Sequence, residues 1–139
     1  MSVKRHNAGP RMSGAVVHNN TVYLAGQVAD GPDVKSQTEA VLKKIDELLA
    51  AAGSSKANLL STVIYLADIR GFEQMNAVWD AWVSPGNTPA RATVEAKLAM
   101  PQFKVEIACM AAAGAGAARA AKRAAPRAAK KKAGKKRRR

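Results

Sequence analysis

The chain has 139 residues and a formal net charge of +13, and this charge is concentrated at one end. Residues 114–139 contain 12 Lys or Arg and no acidic residue, whereas residues 1–113 contain 11 basic and 10 acidic side chains. The length allows one domain with its own core, so we predict a nearly neutral globular domain in residues 1–113 and a basic tail in residues 114–139.

Composition also argues against several classes of protein. One cysteine, Cys109, cannot form an intramolecular disulfide and is typical of a reducing compartment. The first residues lack the apolar run of a secretory signal, and no stretch approaches the ~20 apolar residues of a membrane span, so we expect a cytoplasmic protein. Two histidines and one cysteine are too few and too scattered for a metal site, so we expect no metal. The sequence also lacks phosphate-loop and dinucleotide-binding motifs.

The chain begins with an extended lead-in over residues 1–14 and a predicted hairpin. Residues 15–18 and 21–28 are two strand-like runs, which flank Asn19 and Asn20. Asparagine tolerates positive φ, so this pair favours a tight turn between two antiparallel strands.

A helix follows the hairpin. Asp33 is a candidate N-cap, and Ser36 with Glu39 offers a capping box slightly later. Apolar residues recur at helical spacing from Val34 onwards, and Gly53 is placed to end the helix.

The remaining elements complete an α+β domain. Residues 59–67 form an apolar run typical of a central strand, and residues 68–83 are predicted to form a second amphipathic helix. Two further strands contain Arg91 and Glu106. The predicted order is β-β-α-β-α-β-β, with one sheet packed by two helices, and the other sheet face is either exposed to water or packed against another subunit.

Arg91 and Glu106 are the candidate chemical pair. A guanidinium binds a carboxylate through two parallel hydrogen bonds, and a partly desolvated glutamate can position and deprotonate water. A simple hairpin about residues 99–103 would place the two roughly 16 Å apart along the strands. Either the strands are not direct neighbours or the site lies between subunits. The alternative is that both side chains belong to ordinary solvated strand faces.

Other chemically capable side chains have simpler explanations. Cys109 is in register with the apolar positions of its strand, so we predict a buried structural role. Trp79 and Trp82 lie at helical spacing and are predicted core residues. Asn76 could reach a ligand, although capping or solvent exposure would also explain it.

Residues 9–113 resemble the RidA/YjgF family of imine deaminases. The resemblance is carried by ordered short motifs, namely Gly9-Pro10, Tyr23-Leu24-Ala25-Gly26-Gln27-Val28, Gln37, Ala52-Gly53, Tyr65-Leu66-Ala67-Asp68, Phe72, Met75-Asn76, Pro89-Ala90-Arg91, Val94-Glu95 and Val105-Glu106-Ile107. It implies a chorismate-mutase-like fold and a homotrimer whose sheets surround a central barrel, with ligand clefts between subunits. It also implies cofactor-free hydrolysis of reactive 2-imino or enamine acids, such as 2-aminoacrylate, to 2-keto acids and ammonia.

The same resemblance assigns roles to individual residues. It implies that Arg91 holds the substrate carboxylate and that Glu106 positions the water. Gly26 matches a backbone contact at the cleft, and Asn76 matches a pocket asparagine. Two of the matched substrate-binding positions differ from the best-known branch of the family. Thr93 stands where that branch has a cysteine, and Arg11 stands where it has a tyrosine. These departures leave the choice of imino acid open.

The basic tail is predicted to be disordered, because its Ala, Gly, Pro, Lys and Arg cannot bury enough apolar area to fold. We expect it to bind DNA or RNA without sequence preference, with possible association with the nucleoid. The alternatives are a solubilising charge run or a compositional accident. A rival function for the whole chain is a non-catalytic ligand-binding trimer that associates with nucleic acid through its tails. The candidate nucleic-acid-binding residues are Arg119, Lys122, Arg123, Arg127, Lys130, Lys131, Lys132, Lys135, Lys136, Arg137, Arg138 and Arg139.

Overall fold

A computed structural model describes residues 2–114, which form one six-stranded sheet with two α-helices. The strand order is β1-β2-β3-β6-β4-β5, and β4–β5 is the parallel pair within these residues. The predicted α+β class is therefore confirmed. The elements are β1 (Lys4–His6), β2 (Ala15–His18), β3 (Thr21–Leu24), α1 (Val34–Ala51), β4 (Leu59–Leu66), α2 (Phe72–Trp82), β5 (Ala90–Glu95) and β6 (Val105–Ala112). The candidate nucleic-acid-binding residues 119–139 lie outside the described residues.

The predicted hairpin is confirmed, with one correction to its second strand. Asn19 and Asn20 have φ of 51° and 62°, as a tight turn between twisted strands requires. The strand was predicted to reach residue 28, but β3 ends at Leu24. Gln27 lies four positions after Tyr23, whereas their partners on β6, Ile107 and Met110, are three positions apart, so a bulge interrupts the ladder there.

The lead-in contains a strand that the sequence did not reveal. Lys4–His6 forms β1, which pairs antiparallel with β2. Three residues, two of them charged and exposed, carry no hydrophobic alternation from which a strand could be predicted.

Helix α1 begins at the predicted N-cap. The Ser36 backbone N–H donates to Asp33 Oδ1 at 2.8 Å, and the Asp33 backbone N–H donates to Ser36 Oγ at 3.3 Å. Ser36 therefore completes a capping box with Asp33, and the predicted box between Ser36 and Glu39 is wrong, because the helix has already begun at Val34. At the other end, Gly53 has a φ of 79° and ends the helix.

The second helix begins later than predicted. Ile69–Gly71 forms a 3-10 turn, and α2 starts at Phe72 instead of residue 68. Asp68 caps the turn by accepting from the Arg70 backbone N–H at 2.9 Å, so the chain must close this tighter turn before the helix starts. Hydrogen bonds from the Arg70 side chain and backbone lower the pKa of Asp68 to about 2.

Gln37 connects α1 to the segment that leads into β6. Its side chain is fully buried, and its Nε2 donates to the carbonyls of Gly31 and Gln102 at 3.0 and 2.9 Å. Its Oε1 accepts from the Lys104 backbone N–H at 2.8 Å. These three bonds hold the segment that precedes β6, the strand that carries Glu106, against the start of α1.

Cys109 has the predicted buried position on β6. Its side chain is 3% exposed, and the Thr62 hydroxyl donates to its Sγ at 3.4 Å. Desolvation raises the pKa of the Cys109 thiol to about 11, which is the opposite of what a nucleophilic cysteine requires.

Both helices pack on one face of the sheet, and the opposite face carries exposed apolar side chains. Tyr23, Val94 and Met110 are 43%, 42% and 38% exposed, respectively. The strand neighbours of Tyr23 and Met110 on the helix side are buried, so the two faces differ sharply on β3 and β6. We call the uncovered side the open face. Within residues 2–114, no helix covers it.

Candidate functional site

Arg91 lies on β5, at one edge of the sheet, and faces the helices. It pairs in register with Thr62 on β4, and Thr93 pairs with Ile64. Thr62 and Ile64 are buried beneath the helices, so their register partners project to the same side. The arginine is therefore not on a solvated strand face, because it projects toward α2.

The guanidinium of Arg91 lies against two aromatic rings of α2. Its Cζ is 5.3 Å from the centroid of the Trp79 ring and 5.9 Å from that of Phe72. Both distances fall within the range of cation–π attraction. Among residues 2–114, Arg91 has no ion pair or hydrogen bond, so the donors of its guanidinium are available to a ligand.

Two oxygen atoms near this part of the fold also lack partners. Asn76 Oδ1 and Thr93 Oγ1 are buried, and neither has a hydrogen-bond partner within the described residues. Asn76 lies four residues after Phe72 and three before Trp79, so it shares the α2 face that meets Arg91. Buried polar atoms are normally hydrogen-bonded, so these two oxygens are candidates to hydrogen-bond a polar ligand.

Glu106 lies on β6 and points to the open face. It pairs in register with Tyr65, whereas the flanking Val105 and Ile107 are fully buried on the helix side. Its side chain is half-buried and makes no hydrogen bond or ion pair among the described residues. A carboxylate with both oxygens free can accept a proton from a bound water.

Gly26 gives the Glu106 side chain the space that it occupies. A Cβ atom at position 26 would clash with Glu106 Oε2 and would lie 2.9 Å from its Cδ and 3.1 Å from its Cγ. Gly26 does not have positive φ, so the backbone alone does not require glycine here. The absence of a side chain at position 26 therefore places the carboxylate directly against the bulge after β3.

One protomer does not bring Arg91 and Glu106 together. β4 separates their strands, which confirms that β5 and β6 are not direct neighbours. Their partners on β4 are three residues apart, so the two lie roughly 10 Å apart along the strands and about 9.6 Å across them. They also project from opposite faces of the sheet. A site that uses both side chains requires a second copy of the chain.

Arg11 is exposed and has no ion pair with any described residue. Its neighbour Met12 lines a cavity of about 460 Å³ that also borders Gly26, Gln27 and Lys44. The loop that carries Arg11 therefore approaches the Gly26 side of the molecule and not the Arg91 side.

The aromatic contacts of the Arg91 guanidinium were not predicted from the sequence. Trp79 was predicted to be a core residue, and it is indeed 5% exposed, but its ring also contacts the guanidinium. The spacing of Phe72, Asn76 and Trp79 on one helical face was the available signal. What the sequence could not provide was the parallel pairing that sets β5 beside this helix.

Neither a membrane span nor a metal site emerges from the part of the chain that the structure describes. No helix within residues 2–114 combines the length and apolarity needed to cross a membrane. In the same residues, no group of three His, Cys, Asp or Glu side chains could hold a metal ion.

Comparison with known proteins gives consistent matches over the globular part. The family model described as Endoribonuclease L-PSP matches residues 4–113. A RutC family protein from Haemophilus influenzae is 46% identical over 114 residues, covering 80% of this chain and 98% of the relative. The 2-iminobutanoate/2-iminopropanoate deaminase of Rattus norvegicus is 31% identical over 110 residues, covering 73% and 80%. A solved structure of a YjgF family member from Neisseria meningitidis has 46% identity and a TM-score of 0.81, covering 82% of this chain and 97% of that one.

Proposed function

The chain belongs to the RidA/YjgF family, and we propose that it hydrolyses reactive 2-imino or enamine acids to 2-keto acids and ammonia. The observation that carries this proposal is the Arg91 guanidinium, which has no anionic partner among residues 2–114 and lies against the rings of Trp79 and Phe72. One buried oxygen on α2 and one on β5 also lack hydrogen-bond partners among these residues. The name of the rat relative, a 2-iminobutanoate/2-iminopropanoate deaminase, supports the same chemistry.

Arg91 binds the carboxylate that these substrates share. A guanidinium fork matches a carboxylate in two hydrogen bonds, so it orients a small acid as well as attracting it. Asn76 Oδ1 is an acceptor and would receive an N–H of the substrate, whereas the Thr93 hydroxyl can donate or accept. Arg11 stands where the better-known branch has a tyrosine, so we expect it to influence the choice of substrate.

Glu106 positions and activates the water. It takes a proton from the water as the oxygen forms a bond with C2 of the imine, and this proton passes to the nitrogen. The resulting carbinolamine then loses ammonia as the carbonyl forms. Gly26 supports this role, because the absence of a Cβ leaves room for the carboxylate beside the backbone.

The active unit is a homotrimer with clefts between subunits. Two observations support this assembly, which are the apolar residues on the open face and the separation of Arg91 from Glu106 within one protomer. β5 is an edge strand, so a neighbouring copy can approach Arg91 there with its own Glu106.

The first test replaces Arg91. We expect Arg91→Ala to abolish hydrolysis in a coupled 2-aminoacrylate assay while size-exclusion chromatography shows an unchanged assembly. Arg91→Lys retains the charge without the fork and should recover only a small part of the activity. Arg70→Ala is the matched control, because Arg70 is exposed and paired with Asp68. Unchanged activity in Arg91→Ala would refute the assignment.

We further propose that the basic tail binds nucleic acid without sequence preference. Its 12 Lys or Arg would neutralise phosphates, and each contact adds roughly −0.9 to the slope of log affinity against log salt. Three tails on one trimer would add avidity. The family match ends at residue 113, so a 1–113 variant retains the matched domain. Equal DNA binding by the full-length and 1–113 proteins in a shift assay at two salt concentrations, or binding that is insensitive to salt, would refute the tail's role.

The second candidate function is a non-catalytic trimer that binds nucleic acid through its tails. It is favoured by the charge asymmetry between residues 1–113 and 114–139. An activity screen across several imino acids with full-length and truncated protein separates the two functions. Hydrolysis that depends on Arg91 and survives truncation supports the enzyme.

A further inference from the structure

The side of Arg91 that faces α2 is occupied by aromatic rings, and the described residues offer it no carboxylate. Trp79 lies 5.3 Å from the guanidinium carbon, closer than Phe72 at 5.9 Å, and Trp79 is 5% exposed. A tryptophan ring gives the strongest cation–π attraction of the aromatic side chains. Trp79 is therefore the principal ring contact of the guanidinium.

An aromatic ring and a carboxylate would hold the guanidinium in different ways, because only the ring leaves its N–H donors free. A carboxylate partner would occupy the N–H donors of the guanidinium and neutralise its charge. A ring attracts the cation through its π face and consumes none of these donors. Arginine also has many rotamers, and holding it in one of them before the ligand arrives reduces the entropy lost on binding.

The second tryptophan of α2 has different partners. Trp82 Nε1 donates to Asp46 Oδ2 at 2.9 Å, and Lys56 Nζ lies 5.1 Å from a Trp82 ring centroid. The Trp79 and Trp82 centroids are 5.4 Å apart at an interplanar angle of 49°. Trp82 thus packs beside Trp79, but the cation over its ring is Lys56 and not Arg91, which makes Trp82 a matched reference position on the same helix.

We propose that Trp79 is a positioning residue that holds the Arg91 guanidinium in its carboxylate-binding orientation while leaving its donors free. This inference rests on the proposed function, in which Arg91 clamps the substrate carboxylate. Trp79 acts through Arg91, so its loss should weaken binding of every small 2-keto or 2-imino acid. It should leave the chemical step at Glu106 largely intact.

The test uses full-length Trp79→Leu and Trp79→Phe proteins, with Trp82→Leu as the control. The probe is 2-ketobutanoate, a member of the product class, and its affinity is measured by calorimetry. We expect Trp79→Leu to bind about tenfold more weakly and to raise KM similarly, with kcat changed less than about twofold. Trp79→Phe retains a ring and should remain within about threefold of the parent protein, and Trp82→Leu should match the parent.

A second readout follows Arg91 directly. The Nε–Hε resonance of Arg91, assigned by its loss in Arg91→Lys, should be shifted upfield by the Trp79 ring current. The shift should be reduced in Trp79→Leu but not in Trp82→Leu. If Trp79→Leu fails to fold, Trp79→Met replaces it, since methionine fills the volume without a ring.

The outcomes separate this inference from the proposed function. Binding of 2-ketobutanoate that requires Arg91 and weakens in Trp79→Leu supports the inference even if no imine is hydrolysed. Imine hydrolysis with unchanged KM, affinity and Arg91 resonance in Trp79→Leu overturns the inference and leaves the function standing. Absence in the parent protein of both Arg91-dependent binding and Arg91-dependent imine hydrolysis overturns both.

Discussion

Replacing Gly26 with alanine tests the placement of Glu106 most simply. A Cβ at this position would clash with Oε2 of Glu106 and lie within 3.1 Å of its Cδ and Cγ. The glutamate side chain is flexible and half-buried, so we expect it to rotate away from the new methyl group. The perturbation therefore moves the carboxylate and leaves the sheet in place.

The expected effect is large on catalysis and small on stability. A positioned general base contributes about 10²–10⁴-fold to rate, so we expect Gly26→Ala to lose at least about 10²-fold in kcat. The free energy of unfolding should change by about 1 kcal/mol or less, because Gly26 does not have positive φ and the clash is with a side-chain terminus.

A double-mutant cycle isolates the cause. Imine hydrolysis is measured by ketone formation for the parent, Gly26→Ala, Glu106→Ala and the double variant. Once Glu106 is truncated, no carboxylate remains to clash, so Gly26→Ala should have no further effect on kcat. The reasoning is refuted if Gly26→Ala keeps full activity, or if it lowers the rate equally with and without Glu106.

Three further predictions concern stability and reactivity. Gln37→Ala should lower the free energy of unfolding in urea by about 3 kcal/mol, since it removes three buried hydrogen bonds; a loss below about 1 kcal/mol would contradict this linkage. Cys109, whose pKa is raised to about 11, should resist thiol reagents at pH 8 until the protein is unfolded in denaturant, and rapid labelling of folded protein would count against its burial. The pKa of Asp68 is lowered from an ordinary 3.8 to about 2. The ionised carboxylate therefore stabilises the folded protein fully above about pH 4, and this stabilisation is lost as the pH falls through about 2. Asp68→Asn should therefore lose less stability than the parent protein between pH 4 and pH 2 in acid titrations followed by circular dichroism, and identical acid profiles would oppose the assignment.

Local sequence signals predicted most of the fold. The Asn19-Asn20 turn, the Asp33 cap and the Gly53 stop are set by residues within a few positions of one another, so they can be read from the sequence. The late start of α2 and the bulge near Gly26 were missed. The bulge depends on pairing with β6, which no short window contains. The late start of α2 has a local cause, since the Asp68 carboxylate accepts from the Arg70 backbone N–H two residues on, but this signal was overlooked.

The candidate site was only partly predictable, for the same reason. Alternation indicated that Arg91 and Glu106 lie on strands, but their opposite faces follow from the register of both strands against β4. The contact of Arg91 with Trp79 arises between a strand and a helix that are paired only in three dimensions. The roles of Arg91 and Glu106 came from family resemblance, because spacing alone favoured ordinary solvated strand faces.

A site shared between subunits makes one measurement decisive. Arg91→Ala and Glu106→Ala proteins, each inactive alone, are co-expressed in equal amounts and assayed for imine hydrolysis. If each cleft takes Arg91 from one subunit and Glu106 from its neighbour, about a quarter of the clefts in random trimers should be intact, and activity should recover to about that fraction. Absence of recovery in trimers shown to contain both variants would contradict a cleft shared between subunits.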